Sequence, residues 1–345
     1  MKSLIVEKNG ALSVKEVPLP KYAPEQALVK MISCGICNGT DAKLIHGKFK
    51  GFSSDRYPLM LGHEGVGEVI EIGSEVTSFH LGDKVLLPFV DADPSLYGTL
   101  DSGWGAFSEY GIVNDPSAYP EGKAPECAYA QTVLPDFIDP VDAAMIITLR
   151  EVLSSIRRFG ITADDSVAVF GCGPVGQTFL QFLSLLGVKK LFAFDIVDAK
   201  LEEARAKGAA YAFNSKEVNV SGQIHKVCPD GVKFVLDAVG MTSLINQAME
   251  YICDGGKICC YGIAPTCEMN LDWSKSGYNW QLQFQQFPSK KEEGEATGQI
   301  LQWLKDGTVC LKDFISDYFE FEHILSAFEL LEQHKIAKKG IVIFK

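Results

Sequence analysis

Residues 171–176 read Gly171-Cys172-Gly173-Pro174-Val175-Gly176, a G-x-G-x-x-G set directly after the apolar run Val167–Phe170 and ahead of a helical stretch. In that context the first glycine permits a tight turn and the second lets the backbone approach a pyrophosphate. The third allows helix and strand to pack closely, and the helix starting at Pro174 and Val175 turns its unpaired N–H groups toward the anion. Asp195 ends the next apolar run, nineteen positions after Gly176, where an acid binds the ribose 2′-OH of a dinucleotide. Ile196 and Val197 follow it, with no arginine to receive a 2′-phosphate, so NAD is favoured over NADP. Asp198 reads as the N-cap of a helix from Ala199.

The surrounding pattern supports a parallel sheet. Short apolar runs at Leu191–Phe194, Phe234–Leu236 and Ile258–Tyr261 alternate with helical stretches at Val175–Leu186, Ala199–Lys207 and Leu244–Ile252. Trp280–Phe287 alternates apolar and polar residues as an exposed edge strand would, and such an edge invites pairing of two copies into a homo-oligomer. The first third differs: Leu4–Val6 and Leu12–Val17 flank the turn Asn9-Gly10, and Ala27–Ser33 and Val66–Ile72 follow among glycines. A curved, β-rich domain is expected there. Helices at Lys290–Leu304 and Ile324–His334 and a strand at Ile341–Phe344 close the chain.

At 345 residues the chain suits two domains. A net charge of −12, without a basic stripe, argues against nucleic acid. The start lacks the apolar core of a secretory signal and no apolar run approaches about 18 residues, so a cytoplasmic protein without a membrane partner is expected. Most of the ten cysteines read as small buried hydrophobes.

Two loops of the first third hold metal-ligand residue types beside glycines: Cys34-Gly35-Ile36-Cys37-Asn38-Gly39-Thr40-Asp41 and Leu61-Gly62-His63-Glu64-Gly65. With Gly82-Asp83-Lys84-Val85 and the glycine fingerprint, their order and spacing resemble the zinc-dependent medium-chain alcohol and polyol dehydrogenases over essentially the full length. The resemblance implies an α/β protein: a GroES-like β-rich catalytic domain (1–147 and 289–345) and a doubly wound Rossmann domain (148–288), with the active site between them. It implies Cys37 and His63 as ligands of one catalytic zinc, Glu64 as a direct or indirect partner, and Thr40 as the hydroxyl relay; Asp41 and Lys43 are candidates to carry the proton onward, with Asp41 equally placed to cap a local turn.

The departures matter too. Residues 86–104 contain no cysteine, so the structural zinc of many relatives is not expected. Two residues, Asn38 and Gly39, separate Cys37 from Thr40 where relatives usually have one. The position expected to supply a third ligand is Ile147; Glu151, one helical turn on, is the nearest carboxylate, and Glu64 is the alternative. Cys34 is a weaker candidate ligand. The expected reaction is NAD-linked oxidation of a small polar secondary alcohol, such as a polyol, cyclitol or amino alcohol, to a ketone and back. A zinc-free reductase of enones or quinones and a non-catalytic dinucleotide-binding protein are the rivals. Trp104 is placed either to wall the substrate pocket or to pack.

Overall fold

The hairpin that Asn9-Gly10 favours opens the chain. β1 (Lys2–Val6) and β2 (Leu12–Glu16) pair antiparallel with Val6 opposite Leu12, and Gly10 sits at φ +83°, a left-handed conformation that glycine takes without steric cost. Then come β3 (Gln26–Ile36), α1 (Asp41–Ile45), β4 (Leu59–Met60), β5 (Gly65–Ile72) and β6 (Lys84–Leu86). α2 (Pro94–Tyr97), β7 (Asp101–Ser102), β8 (Tyr110–Asn114) and the long α3 (Ala144–Phe159) follow. Next are β9 (Ser166–Phe170), α4 (Pro174–Leu185), β10 (Lys190–Asp195), α5 (Asp198–Ala206), β11 (Tyr211–Asn214) and α6 (Val220–Val227). β12 (Val232–Asp237), α7 (Thr242–Ala248), β13 (Ile252–Cys260) and β14 (Trp280–Phe284) complete that run, and α8 (Lys290–Lys305), β15 (Ile315–Glu320), α9 (Ile324–Glu332) and β16 (Lys339–Ile343) end the chain. The computed structural model describes residues 1–264, 266 and 268–345.

Contacts divide the chain into two units, Met1–Arg150 with Ser289–Lys345, and Glu151–Pro288; the first division falls slightly after the 147/148 boundary read from the sequence. In the first unit β3 is the organising strand. It pairs antiparallel with β5, with β16 and, along its first half, with β8. Antiparallel pairing sets the end of β3 beside the starts of β5 and β16: Cys34 lies opposite Gly65, and Ile36 opposite Gly340. That register gathers the site described below.

The second unit is a six-stranded parallel sheet ordered β11-β10-β9-β12-β13-β14, the doubly wound arrangement, with its switch point between β9 and β12. Phe170, Phe192, Phe194 and Tyr251 form part of its buried core, with Phe170 and Phe194 stacked 4.8 Å apart. β14 is an edge strand as expected, and Phe284 and Phe287 are about half exposed.

Two local readings are corrected. The helix expected through Ile252 stops at Ala248, because Ile252 pairs with Val232 and so begins a strand, bulged before Phe234 meets Lys257. Asp198 is not the cap of α5: Val197 holds that position, and Asp198 lies inside the helix accepting from Asn214 Nδ2 at 2.9 Å. β11, α6 and β15, unread from the sequence, are strands and a helix of their own. No helix is long and apolar enough to cross a membrane, among the described residues.

Candidate active site

Cys37 follows β3, and His63 and Glu64 immediately precede β5, so the β3–β5 ladder brings them together. One donor atom from each, sulfur, ring nitrogen and carboxylate oxygen, lies within 4.8 Å of the others. Gly35 makes the approach possible, because a Cβ there would meet Glu64 Oε2 at 2.2 Å. Cys34, by contrast, is sealed in the core, where burial pushes its thiol well above the usual range, and it donates to the Gly35 carbonyl.

Asp41, fully buried at the start of α1, organises the cluster. One oxygen accepts the Cys37 N–H at 2.9 Å and the other faces His63 Nδ1 at 3.3 Å, too poorly aligned to count as a hydrogen bond. Burial opposes charge on His63, yet the Asp41 carboxylate and the Cys37 sulfur override it and hold the His63 pKa well above the ordinary value. With Nδ1 turned to a carboxylate, Nε2 points the other way, 3.9 Å from Glu64 Oε1. That is how metal-ligating histidines are oriented. Asp41 thus positions its neighbours. Thr40 is also buried and gives α1 no side-chain cap. Burial lowers the Lys43 pKa.

Lys339, on β16, is the partner that sequence reasoning missed. Its ammonium lies 2.8 and 2.7 Å from the two oxygens of Glu64, and Thr148 Oγ1 donates to the same carboxylate at 3.2 Å. Burial works against the Glu64 charge, but Lys339 and His63 outweigh it and keep the carboxyl below its usual pKa. Ile147 is buried and offers no donor, and Glu151 lies on the stretch of α3 that belongs to the second unit. Trp104 sits with its ring centroid 5.6 Å from that of His63.

The donor set fits a zinc ion. One sulfur, one imidazole nitrogen and one carboxylate oxygen gathered within 4.8 Å of one another are the ligand types of catalytic zinc.

In the second unit the glycine loop behaves as its spacing demands. A Cβ on Gly176 would lie 1.8 Å from the Gly171 carbonyl, and one on Gly171 (φ +89°) would meet Val239, whereas one on Gly173 would meet nothing within 4 Å. Gly173 therefore leaves open backbone where a pyrophosphate can approach. Pro174 and Val175 begin α4 and Gly176 continues it. Asp195 lies at the C-terminal end of β10, accepting from Cys172 N at 2.6 Å and from the amides of Ile196 and Val197, which ties it to the loop. Ile196, Val197, Val239 and Met241, all exposed apolar residues, follow the ends of β10 and β12.

Residues 23–122 match the alcohol dehydrogenase GroES-like domain, and residues 174–292 match the zinc-binding dehydrogenase family. The chain belongs to the zinc-dependent medium-chain dehydrogenases. This family member is 26% identical to the starvation-sensing protein RspB of Escherichia coli K12, over 96% of either chain. It is 28% identical to an alcohol dehydrogenase of Geobacillus stearothermophilus, covering 100% of this chain and 99% of that one. Among solved structures, the rspB alcohol dehydrogenase of Escherichia coli CFT073, complexed with NADH, superposes with a TM-score of 0.78 at 24% identity, over 100% of this chain and 99% of that one. The GroES-like and Rossmann folds of this dehydrogenase, its oxidoreductase class and its nicotinamide dinucleotide binding follow from the family.

Proposed function

We propose that this dehydrogenase oxidises a secondary alcohol of a small polar substrate, a polyol, cyclitol or amino alcohol, to a ketone with NAD⁺, and catalyses the reverse with NADH. Two electrons and the carbinol hydrogen pass as hydride to the nicotinamide; the hydroxyl proton is released to solvent. The observation that carries this reading is the convergence of Cys37, His63 and Glu64 with Asp41 behind them. These three residues would hold one zinc, which when bound lowers the pKa of an alcohol hydroxyl and polarises the carbonyl in the reverse direction.

The chain's own groups do the rest. Asp41 fixes the imidazole so that Nε2 is the coordinating nitrogen, and Lys339 holds the Glu64 carboxylate in place. Thr40 is the proposed first acceptor of the hydroxyl proton. In the second unit the open Gly173 backbone and the first turn of α4 take the pyrophosphate, and Asp195 takes the ribose hydroxyls. A carboxylate there repels a 2′-phosphate, which supports NAD over NADP.

The test measures zinc content, NADH binding and NAD-linked turnover on the same samples. The proposal expects one zinc per chain, and expects Cys37→Ser and His63→Ala to abolish turnover while leaving NADH binding intact. Glu64→Gln and Glu151→Gln, compared for zinc loss, identify which carboxylate completes the ligand set. Full alcohol oxidation after chelation would install the zinc-free reading; NADH binding with no turnover on any alcohol or ketone would install the non-catalytic one.

A further inference from the structure

We infer that Trp104 is a specificity-determining residue that selects polyhydroxylated ring substrates over open-chain ones; the inference rests on the alcohol dehydrogenase reading above. Trp104 adopts φ +68°, and only two other non-glycine residues, Leu87 and His334, have positive φ among the described residues. A bulky side chain there is strained, and such strain persists only where the surroundings enforce it. They do so here. The Gly103 N–H donates to the Met60 carbonyl at 2.7 Å, the Trp104 carbonyl accepts from Val90 N at 2.9 Å, and Gly105 (φ +69°) lies so close to Val90 that a Cβ would come within 2.8 Å of it. A glycine at position 104 would relieve the strain; the backbone is instead held so that an indole stands beside a candidate metal ligand.

Two phenylalanine rings also contact the indole. Phe49 meets it edge-on at 6.0 Å and Phe52 lies tilted at 5.5 Å. The Arg56 guanidinium sits 4.2 Å above the Phe52 ring and forks onto Asp101 at 2.7 and 3.1 Å, which fixes Phe52 in turn. The indole is only half buried, and no hydrogen bond from its N–H is found among the described residues. Tryptophan N–H groups ordinarily find a partner when covered. The first unit therefore holds, one ring-width from His63, a rigidly held and partly exposed indole with an unused donor at its rim.

A cyclic polyol answers both features. Its flat array of ring C–H bonds covers the indole face while a hydroxyl accepts the N–H, and its carbinol carbon undergoes the hydride transfer already described. An open-chain polyol has the same groups but must freeze several torsions to lie flat, which costs binding.

The test compares kcat/KM with NAD⁺ for a cyclohexanehexol, an open-chain hexitol and cyclohexanol, in the wild type, Trp104→Phe and Trp104→Leu, with zinc content and NADH affinity checked on each protein. The wild type should prefer the cyclohexanehexol to the hexitol. Trp104→Leu should reduce that ratio roughly tenfold, mainly through KM, with zinc and NADH binding unchanged. Trp104→Phe keeps an aromatic face but loses the N–H, so it should lower kcat/KM several-fold for the cyclohexanehexol and leave cyclohexanol nearly unaffected; it also decides the matter if Trp104→Leu fails to fold. A ratio unchanged within about twofold in the variants, or a wild type that holds zinc and oxidises only open-chain alcohols, overturns this inference and leaves the dehydrogenase reading standing. A wild type inactive on every alcohol overturns both.

Discussion

Removing the ammonium of Lys339 strands a carboxylate in the core of the first unit. Glu64 is 1% exposed and Lys339 7%, and the pair is joined through both carboxylate oxygens. Breaking a buried pair by deleting one partner costs about 3–5 kcal/mol, because the remaining charge keeps its desolvation penalty with its main counter-charge gone. Thr148 contributes one longer bond, 3.2 Å, to the same carboxylate, and losing a hydrogen bond to a charged group costs roughly 1.5–3 kcal/mol. Lys339→Met should therefore unfold well before Thr148→Val, with a melting temperature on the order of 10 °C below wild type for a domain of this size. The assay is thermal denaturation in a chelating buffer, so that no metal can capture the freed carboxylate. Glu64→Gln added to Lys339→Met should recover at least half of the loss, since it removes the stranded charge. If Lys339→Met melts within a degree or two of wild type, or if the two substitutions simply add, the carboxylate is solvated and the account of the pair is wrong.

Asp115 gives a pH test: burial opposes its charge, but bonds from Ser117, Thr77 and Ser78 outweigh that and hold its pKa far below the usual carboxylate range. The stability it contributes is complete above the ordinary pKa of about 4 and is lost as pH falls toward the depressed value, so Asp115→Asn should destabilise at pH 7 and the gap to wild type should narrow toward pH 2 in denaturant titrations. Asp195→Arg should weaken NAD⁺ and improve relative use of NADP⁺; an unchanged preference in steady-state kinetics would remove Asp195 from the ribose site. The exposed edge strand β14 should pair across a two-fold axis, so the protein should sediment as a dimer at micromolar concentration and Phe284→Lys should shift it toward monomer; a monomeric wild type would refute this.

Short-range chemistry was legible in the chain itself. The glycine fingerprint, its strand and helix, and Asp195 at the next strand end lie within a few dozen residues, so spacing alone announces a βαβ unit and its anion-binding turn. The Cys37 and His63-Glu64 motifs were visible for the same reason, and so was the alternation that makes Trp280–Phe284 a strand. Long-range pairing was not. Lys339 is 275 positions from Glu64 and meets it only because β3 pairs antiparallel with both β5 and β16, and nothing local marks a lysine at the start of a strand as the partner of a buried acid. The same holds for Thr148. Ile252 became a strand residue because Val232 offered it a ladder, against the helical pattern of its neighbours. Trp104 was undecided between packing and contact because its conformation depends on Met60 and Val90, distant in sequence, which lock its turn. Sequence thus determined which groups the protein possesses and which turns carry them; tertiary structure decided which of them face one another, because strand register and the burial of charge are settled between segments rather than within them.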